Sequence, residues 1–268
     1  MNIVLTVTDY ARLTGSAIYV YELARTLKKR GHTVTILSNY LGGEIAERTR
    51  LLTIPMYYFF DHPELTPDIV HSSQPNPTGY ALRFFPKATH VVTIHSQLSY
   101  EKPVRHENIK RYIFVRPEIA SLYSDLPGAM IWNGVDPKRF NTKGTTDNGK
   151  VLVVGTPDHL RAKMVTDLHN RGYKLMLVGG DWLGDGKPND TWNVETFTKE
   201  CHKTAGIYIG RTTIEGWMCG KPGIVYDVDE QGNIKQVEEI SVPDDLSSFT
   251  IDTMTDQVLK VYKEASES

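Results

Sequence analysis

The chain has 268 residues, of which 40% are hydrophobic and 23% charged, a composition typical of a globular protein with one large or two small domains. Its formal net charge of −2 excludes the strong overall basic field that supports tight non-specific binding to nucleic acids. Two widely spaced cysteines argue against a disulfide scaffold or a CxxC zinc site and favour a reducing, cytoplasmic location.

The first 38 residues predict a strand, a helix and a second strand. Residues 3–7 are mostly apolar, as in a buried parallel strand. Ser16 is the predicted N-cap of a helix with apolar residues at helical spacing, and residues 33–38 return as a strand. The loop with Asp9, Gly15 and Ser16 then lies at the carboxyl end of the first strand, where open α/β sheets bind ligands. The loop lacks GxGxxG, which argues against a nicotinamide-dependent oxidoreductase.

No sequence segment reaches the roughly 20 apolar residues of a membrane span, and Asp9 interrupts the N-terminal apolar run. We therefore expect neither a transmembrane segment nor a signal peptide, and leave a peripheral membrane contact open.

Three further strands in the first half end next to polar residues. Residues 67–71 precede Ser72, residues 90–96 contain His95 at their carboxyl end, and residues 111–115 precede Arg116. A histidine at a strand end either orients a hydroxyl of a ligand, shuttles a proton or serves only the structure. Arg116 either contacts a ligand, such as a phosphate, or pairs with Glu118.

Residues 141–150, NTKGTTDNGK, form the best linker in the chain because they are small, polar and glycine-containing. They separate an expected N-terminal domain at 1–140 from a C-terminal domain at 151–251. The C-terminal domain begins with a strand that leads to Gly155 and contains a second strand that leads to Gly179. Residues 252–268 predict an amphipathic closing helix, which either crosses back to the first domain or covers the second sheet.

The stretch 205–227 predicts a strand, a helix that begins near Arg211, and another strand. A helix N-terminus binds phosphate through unpaired N–H groups, here those of Thr212 and Thr213, and Arg211 adds a charged donor. Glu215, one turn further on, is able to accept ribose hydroxyl groups. The alternative is that Arg211 and Glu215 form an ion pair on a solvated helix face.

Residues 215–222, EGWMCGKP, resemble the EAMA-x-G-x-P signature of GT-B glycosyltransferases of the GT4 type. The resemblance continues in RGHTV at 30–34, PDIVH at 67–71, VVTIH at 91–95 and NGVDPKRF at 133–140. These motifs occur in the family's order over nearly the whole chain. The resemblance implies an α/β fold of the GT-B type, with two Rossmann-like parallel-sheet domains that face a central cleft.

The resemblance also implies a hexosyltransferase that moves a sugar from a nucleoside diphosphate sugar, with UDP or GDP as the carrier, to a hydroxyl of a small molecule, glycan or other acceptor. It implies no obligatory cofactor and no metal, and the net charge of −2 leads us to expect no stable nucleic-acid binding. His95 and Asp9 are the implied catalytic residues, and Ser72 and Arg116 are acceptor-side candidates. The implied donor-binding residues are Glu215, Arg211, Thr212, Thr213, Arg161, Lys163, Gly155, Gly179, Gly15 and Ser16.

Two positions depart from the family pattern. Thr156 stands where the family commonly has arginine, and Ile207 stands where GT4 enzymes have a glutamate that holds the donor sugar. These departures leave open a GT-B-like nucleotide-binding protein without transferase activity. A transferase that modifies DNA with sugar is a variant of the main hypothesis, against which the net charge of −2 argues.

Overall fold

The structure is a computed structural model that describes residues 1–61, 64–97, 101–155, 157–179, 194–229 and 233–268. Thr156 therefore lies outside the described residues. The first half contains strands β1 (Asn2–Tyr10), β2 (Thr33–Leu41), β3 (Met56–Tyr58), β4 (Ile69–Ser72), β5 (Thr89–Ile94), β6 (Ile109–Phe114) and β7 (Gly128–Met130), with helices α1 (Gly15–Lys29), α2 (Gly43–Leu51), α3 (Pro75–Phe84) and α4 (Pro117–Leu122). The second half contains β8 (Val151–Val154), β9 (Leu175–Val178), β10 (Lys203–Ile207), β11 (Gly223–Val228) and β12 (Ile234–Ile240), with α5 (His159–Asn170), α6 (Val194–Glu200), α7 (Arg211–Met218) and α8 (Ile251–Ser266).

Residue contacts divide the chain into two compact units. The first comprises Met1–Gly134 and Ile251–Ser268, and the second comprises Val135–Thr250. The segment 141–150 falls within the second unit, where Thr146 and Asn148 donate backbone hydrogen bonds to the end of α6. Its function as an interdomain linker stays a prediction. Among the described residues, no helix combines the length and apolar character that crossing a bilayer requires.

The first unit contains a seven-stranded parallel sheet in the order β3-β2-β1-β4-β5-β6-β7. The strand order reverses between β1 and β4, so the loops after these strands lie side by side at the carboxyl edge of the sheet. Such a reversal is where open α/β sheets bind ligands. The Gln74 side chain connects the two strands here, since its Oε1 accepts a hydrogen bond from the Thr8 N–H at 2.9 Å.

Helix α1 begins two residues earlier than the sequence predicts. Thr14, not Ser16, is the N-cap: its backbone is extended and its Oγ1 accepts a hydrogen bond from the Ala17 N–H at 3.3 Å. Both residue types suit this position, and the path of the loop after β1 places Thr14 there. Asp9 belongs to β1 rather than to the loop.

Helix α8 is part of the first unit and packs against α1, β5 and β6. Its buried face carries Met254, Val258, Val261 and Tyr262, as the helical spacing predicts. At its start, Asp256 Oδ1 pairs with Arg30 Nη1 at 2.5 Å, which ties the helix to the end of α1.

The second unit has a five-stranded sheet in the order β12-β11-β10-β8-β9. Four strands are parallel, as the resemblance implies, and the edge strand β12 is antiparallel to β11, a pairing that the sequence does not predict. Strand β12 is mostly exposed and charged, and it lacks the apolar run that made the other strands visible in the sequence. The strand order reverses between β8 and β10, which brings the loops after those two strands together at the carboxyl edge.

Helix α7 approaches this sheet closely because glycine lies at its contact points. A Cβ at Gly216 would lie 2.7 Å from Thr204 Cγ2 and Oγ1, and a Cβ at Gly223 would lie 2.8 Å from Thr213 Cγ2. The glycines therefore set the depth at which α7 lies on β10 and β11. That depth in turn fixes where Arg211 and Glu215 stand.

Candidate active site

The start of α7 holds a buried ion pair at the strand-order reversal of the second unit. Arg211 Nε donates to Glu215 Oε1 at 2.7 Å, and the two side chains are only 14% and 4% exposed. The ion pair that the sequence offered as an alternative thus exists, but it is buried rather than on a solvated face. A buried carboxylate needs such a partner, because desolvation of an unpaired charge is costly.

Thr212 and Thr213 lie in the first turn of α7, after the extended N-cap residue Gly210. The N–H groups of a first helical turn have no intrahelical acceptor, so they are suited to an anion. The Thr213 side chain is fully buried against the sheet, next to the positions of Gly206 and Gly223. Thr213 therefore presents its backbone rather than its hydroxyl at the edge.

A second cation lies at the end of β8. Gly155 has φ +122°, and a Cβ built there would lie 3.0 Å from Arg161 Nε and 3.1 Å from its Cζ. Glycine is required at this point, because a side chain would meet both the strained backbone and the guanidinium. Asp158 caps α5 by accepting from the Arg161 N–H at 2.8 Å and also pairs with the Arg161 side chain at 2.5 Å.

The remaining predicted donor residues of this unit lie in two places. Gly179, at φ +98°, ends β9 beside the end of β8. Lys163 instead lines a groove between α5 and β12, together with Asn170 and Gln236. Because Lys163 is two residues from Arg161 in a helix, the two side chains lie on different faces of α5.

His95 lies one residue beyond β5, at the carboxyl edge of the first sheet. It lines a small pocket with Ser73, Gln74 and Glu101. Its Nε2 is buried and has no hydrogen-bond partner among the described residues. Burial, together with the nearby charge of Arg116 at the end of β6, lowers the pKa of His95 to about 4. The imidazole is therefore neutral near pH 7 and is better suited to orient a hydroxyl than to donate a proton as an imidazolium.

The other predicted residues of the first unit do not all reach this pocket. Asp9 is engaged locally, because its Oδ1 accepts from the Ala11 N–H at 2.9 Å and its Oδ2 pairs with Arg12 at 2.5 Å. Gly15 is exposed at the start of α1, with open space where a Cβ would lie, and Ser16 follows it in the first turn. Ser72 is the last residue of β4 and is buried, so its side chain is not accessible at the surface.

A group of buried polar residues near His95 was not assigned to the site from the sequence. It consists of Tyr19, His71, Thr93 and Tyr262, which come from α1, β4, β5 and α8. Sequence patterns place each residue in a strand or on an apolar helix face, and none of those patterns indicates that the four meet. Their proximity is a property of the assembled unit.

The comparisons with known proteins agree with this architecture. A model of Glycosyltransferase Family 4 matches residues 13–139. No curated protein sequence matches the chain. A glycosyltransferase from Rickettsia africae has a similar structure, with a TM-score of 0.66 at 14% identity over 98% of both chains.

Two further solved structures share this fold. The pneumococcal O-GlcNAc transferase GtfA, in complex with UDP and GlcNAc, aligns with a TM-score of 0.63 at 7% identity over 100% of this chain and 99% of its own. S. aureus TarM aligns with a TM-score of 0.61 at 9% identity over 100% of this chain and 94% of its own. Residues 13–139 are therefore similar to Glycosyltransferase Family 4, and the chain has the GT-B fold that these solved structures share.

Proposed function

We propose that the protein transfers a hexose from a UDP- or GDP-sugar to an acceptor hydroxyl. The observation that carries the proposal is the buried pair of Glu215 and Arg211 at the start of α7, at the strand-order reversal of the second sheet. Arg161 lies against Gly155 after β8, the other strand at this reversal. The solved complexes of GtfA and TarM contain UDP, which supports a nucleoside diphosphate as the carrier.

In this proposal Glu215 accepts hydrogen bonds from the two ribose hydroxyls. An ionised carboxylate accepts only, and two hydroxyls in fixed geometry are its natural donors. Arg211 supports this role because its Nε holds Glu215 Oε1 at 2.7 Å and so keeps the buried carboxylate charged and oriented.

The diphosphate is neutralised by the N–H groups at the start of α7 and by the guanidinium of Arg161. Charge grows on the leaving diphosphate as the glycosidic bond breaks, and preorganised donors stabilise that charge. We propose that the N–H groups at the start of α7 and the guanidinium of Arg161 perform the task that a divalent metal performs in other phosphate sites.

His95 is proposed to orient a hydroxyl of the reacting sugar as a neutral imidazole. The unpartnered, buried Nε2 and the lowered pKa support this role over proton transfer. Asp9 is proposed to shape the loop after β1 through Ala11 and Arg12. A cytoplasmic location is proposed because Cys201 and Cys219 are both free and buried.

The donor site is tested by calorimetric titration of UDP and GDP into the wild-type protein and the Glu215→Gln variant. We expect one of the two diphosphates to bind, and Glu215→Gln to weaken it at least tenfold, about 1.4 kcal/mol. The matched control is Glu239→Gln, which removes a Glu–Lys pair with Lys203 at the amino end of β10, the opposite edge of the same sheet.

Two results would contradict the proposal: no binding of any nucleoside diphosphate by the folded protein, or equal affinity in the wild-type protein and Glu215→Gln. The transfer step is tested with the matching nucleotide-sugars by measuring the release of the diphosphate with and without a panel of hydroxyl acceptors. Release that no acceptor accelerates would argue against transfer.

A further inference from the structure

A continuous chain of hydrogen bonds runs through the interior of the first unit. His71 lies at its centre: its Nδ1 is 2.6 Å from Tyr262 Oη, and its Nε2 is 2.6 Å from Thr93 Oγ1. Thr93 Oγ1 is in turn 3.3 Å from Tyr19 Oη. The four side chains are at most 3% exposed. The chain connects α8 through β4 and β5 to α1.

This chain ends against His95. The ring of Tyr19 meets the ring of His95 edge-on, with centroids 5.0 Å apart and planes at 77°. Thr93 lies two residues before His95 on the same strand face and lines the same pocket. Tyr19 thus packs against the His95 ring, and Thr93 lines the same pocket as His95. Arg116 lies near enough for its charge to act on the imidazole.

Packing alone does not require these polar groups. Three hydroxyls and an imidazole lose hydration when they are buried, and apolar side chains of similar shape would avoid that loss. A buried network in which each group has a partner specifies one arrangement of its members. Burial lowers the pKa of His71 to about 3 and raises the pKa values of Tyr19 and Tyr262, so every member is neutral near pH 7.

We propose that Tyr19 is a positioning residue for His95, and that Thr93, His71 and Tyr262 hold the Tyr19 ring in place. The C-terminal helix α8 then contributes to the geometry of a pocket that it does not line. The consequence for sugar transfer rests on the proposed function of His95, whereas the effect on the His95 ring does not.

The test compares two variants that each remove one buried tyrosine hydroxyl from the first unit. Tyr262→Phe removes the partner of His71 Nδ1. The control, Tyr10→Phe, removes an equally buried hydroxyl that lies 2.9 Å from Thr49 Oγ1. This hydroxyl is not part of the hydrogen-bond chain around His71. Thr93→Val, which keeps the shape but removes the hydroxyl between His71 and Tyr19, is a second variant in case Tyr262→Phe does not fold.

The first readout is the NMR spectrum of the ring nitrogens in protein labelled with ¹⁵N-histidine, with His95 assigned through His95→Gln. We expect Tyr262→Phe and Thr93→Val to shift the His95 ring resonances and to change the tautomer populations of His71. Tyr10→Phe should leave both unchanged. Wild-type His95 resonances in Tyr262→Phe, or an equal shift in Tyr10→Phe, would overturn the proposal.

The second readout is turnover of the donor sugar that the wild-type protein accepts. We expect Tyr262→Phe to lower kcat about tenfold, as small misplacements of reacting groups do, with KM for the donor within about twofold of wild type. Tyr19→Phe, which keeps the ring, should retain more activity than Tyr19→Leu. If the wild-type protein turns over no donor, the proposed function fails, and the His95 resonances still decide the positioning role.

Discussion

Two helical glycines should respond in opposite directions to replacement by alanine. Alanine favours a helix over glycine by about 1 kcal/mol. Gly79, in α3, has no atom within 4 Å of where its Cβ would lie, so Gly79→Ala should raise the free energy of unfolding by up to about 1 kcal/mol.

Gly216, in α7, should show the opposite sign. Its Cβ would lie 2.7 Å from two atoms of Thr204, a fully buried side chain in β10. Overpacking of this kind costs about 1–3 kcal/mol, which exceeds the gain in helix propensity, so Gly216→Ala should lose about 1 kcal/mol net. A displaced α7 also moves Arg211 and Glu215, so affinity for the nucleoside diphosphate should fall.

Differential scanning calorimetry is the suitable assay, because the two units need not unfold in one transition. Gly216→Ala should lower the Tm of the transition of the second unit, and Gly79→Ala should raise that of the first. The double variant Thr204→Ala/Gly216→Ala should recover most of the loss, since it removes the obstructing methyl and hydroxyl. A Gly216→Ala protein at least as stable as wild type would refute the reasoning.

Two further predictions concern charge. His71 has a pKa of about 3 in the folded protein and near 6.5 in the unfolded chain, so the unfolded chain binds the proton more readily. Its contribution to the free energy of unfolding is therefore complete above pH 6.5 and is lost as the pH falls towards 3. Between pH 7 and pH 5, protonation of His71 alone should lower the free energy of unfolding by about 2 kcal/mol. Urea unfolding at both pH values should therefore show a smaller loss of stability in His71→Gln than in the wild-type protein, and equal losses in the two proteins would contradict this. Arg161→Gln should weaken binding of the diphosphate about tenfold by calorimetric titration and leave the nucleoside unaffected, with Arg171→Gln at the other end of α5 as control; an equal loss with the nucleoside would exclude a phosphate contact.

The sequence predicts which strand ends carry the candidate site residues. An apolar run that ends in a polar residue, as at His95 and near Arg211, locates the carboxyl end of a buried parallel strand. The N–H groups of the helix start at Arg211 and the alternation of strands and helices are likewise local properties. These features depend on residues adjacent in the chain, and so they are visible without a structure.

Features that depend on distant partners are not predicted. Nothing near Thr93 in the sequence indicates that His71 and Tyr19 are its neighbours, because they come from a different strand and a helix. The burial of the Arg211–Glu215 pair depends on the depth of α7, which Gly216 and the facing β10 determine together. Strand β12 escaped prediction because its pairing with β11, rather than its own hydrophobicity, makes it a strand.

The discontinuity of the first unit has a consequence for synthesis on the ribosome. Residues 1–134 leave the ribosome well before α8, which packs against β5 and β6 and comes from residues 251–266. The second unit is continuous and has all of its elements before α8 is made. We therefore expect the second unit to fold before the first, the reverse of the usual order in which N-terminal domains fold first. Until α8 is released, the incomplete first unit exposes an apolar surface that a chaperone would have reason to bind.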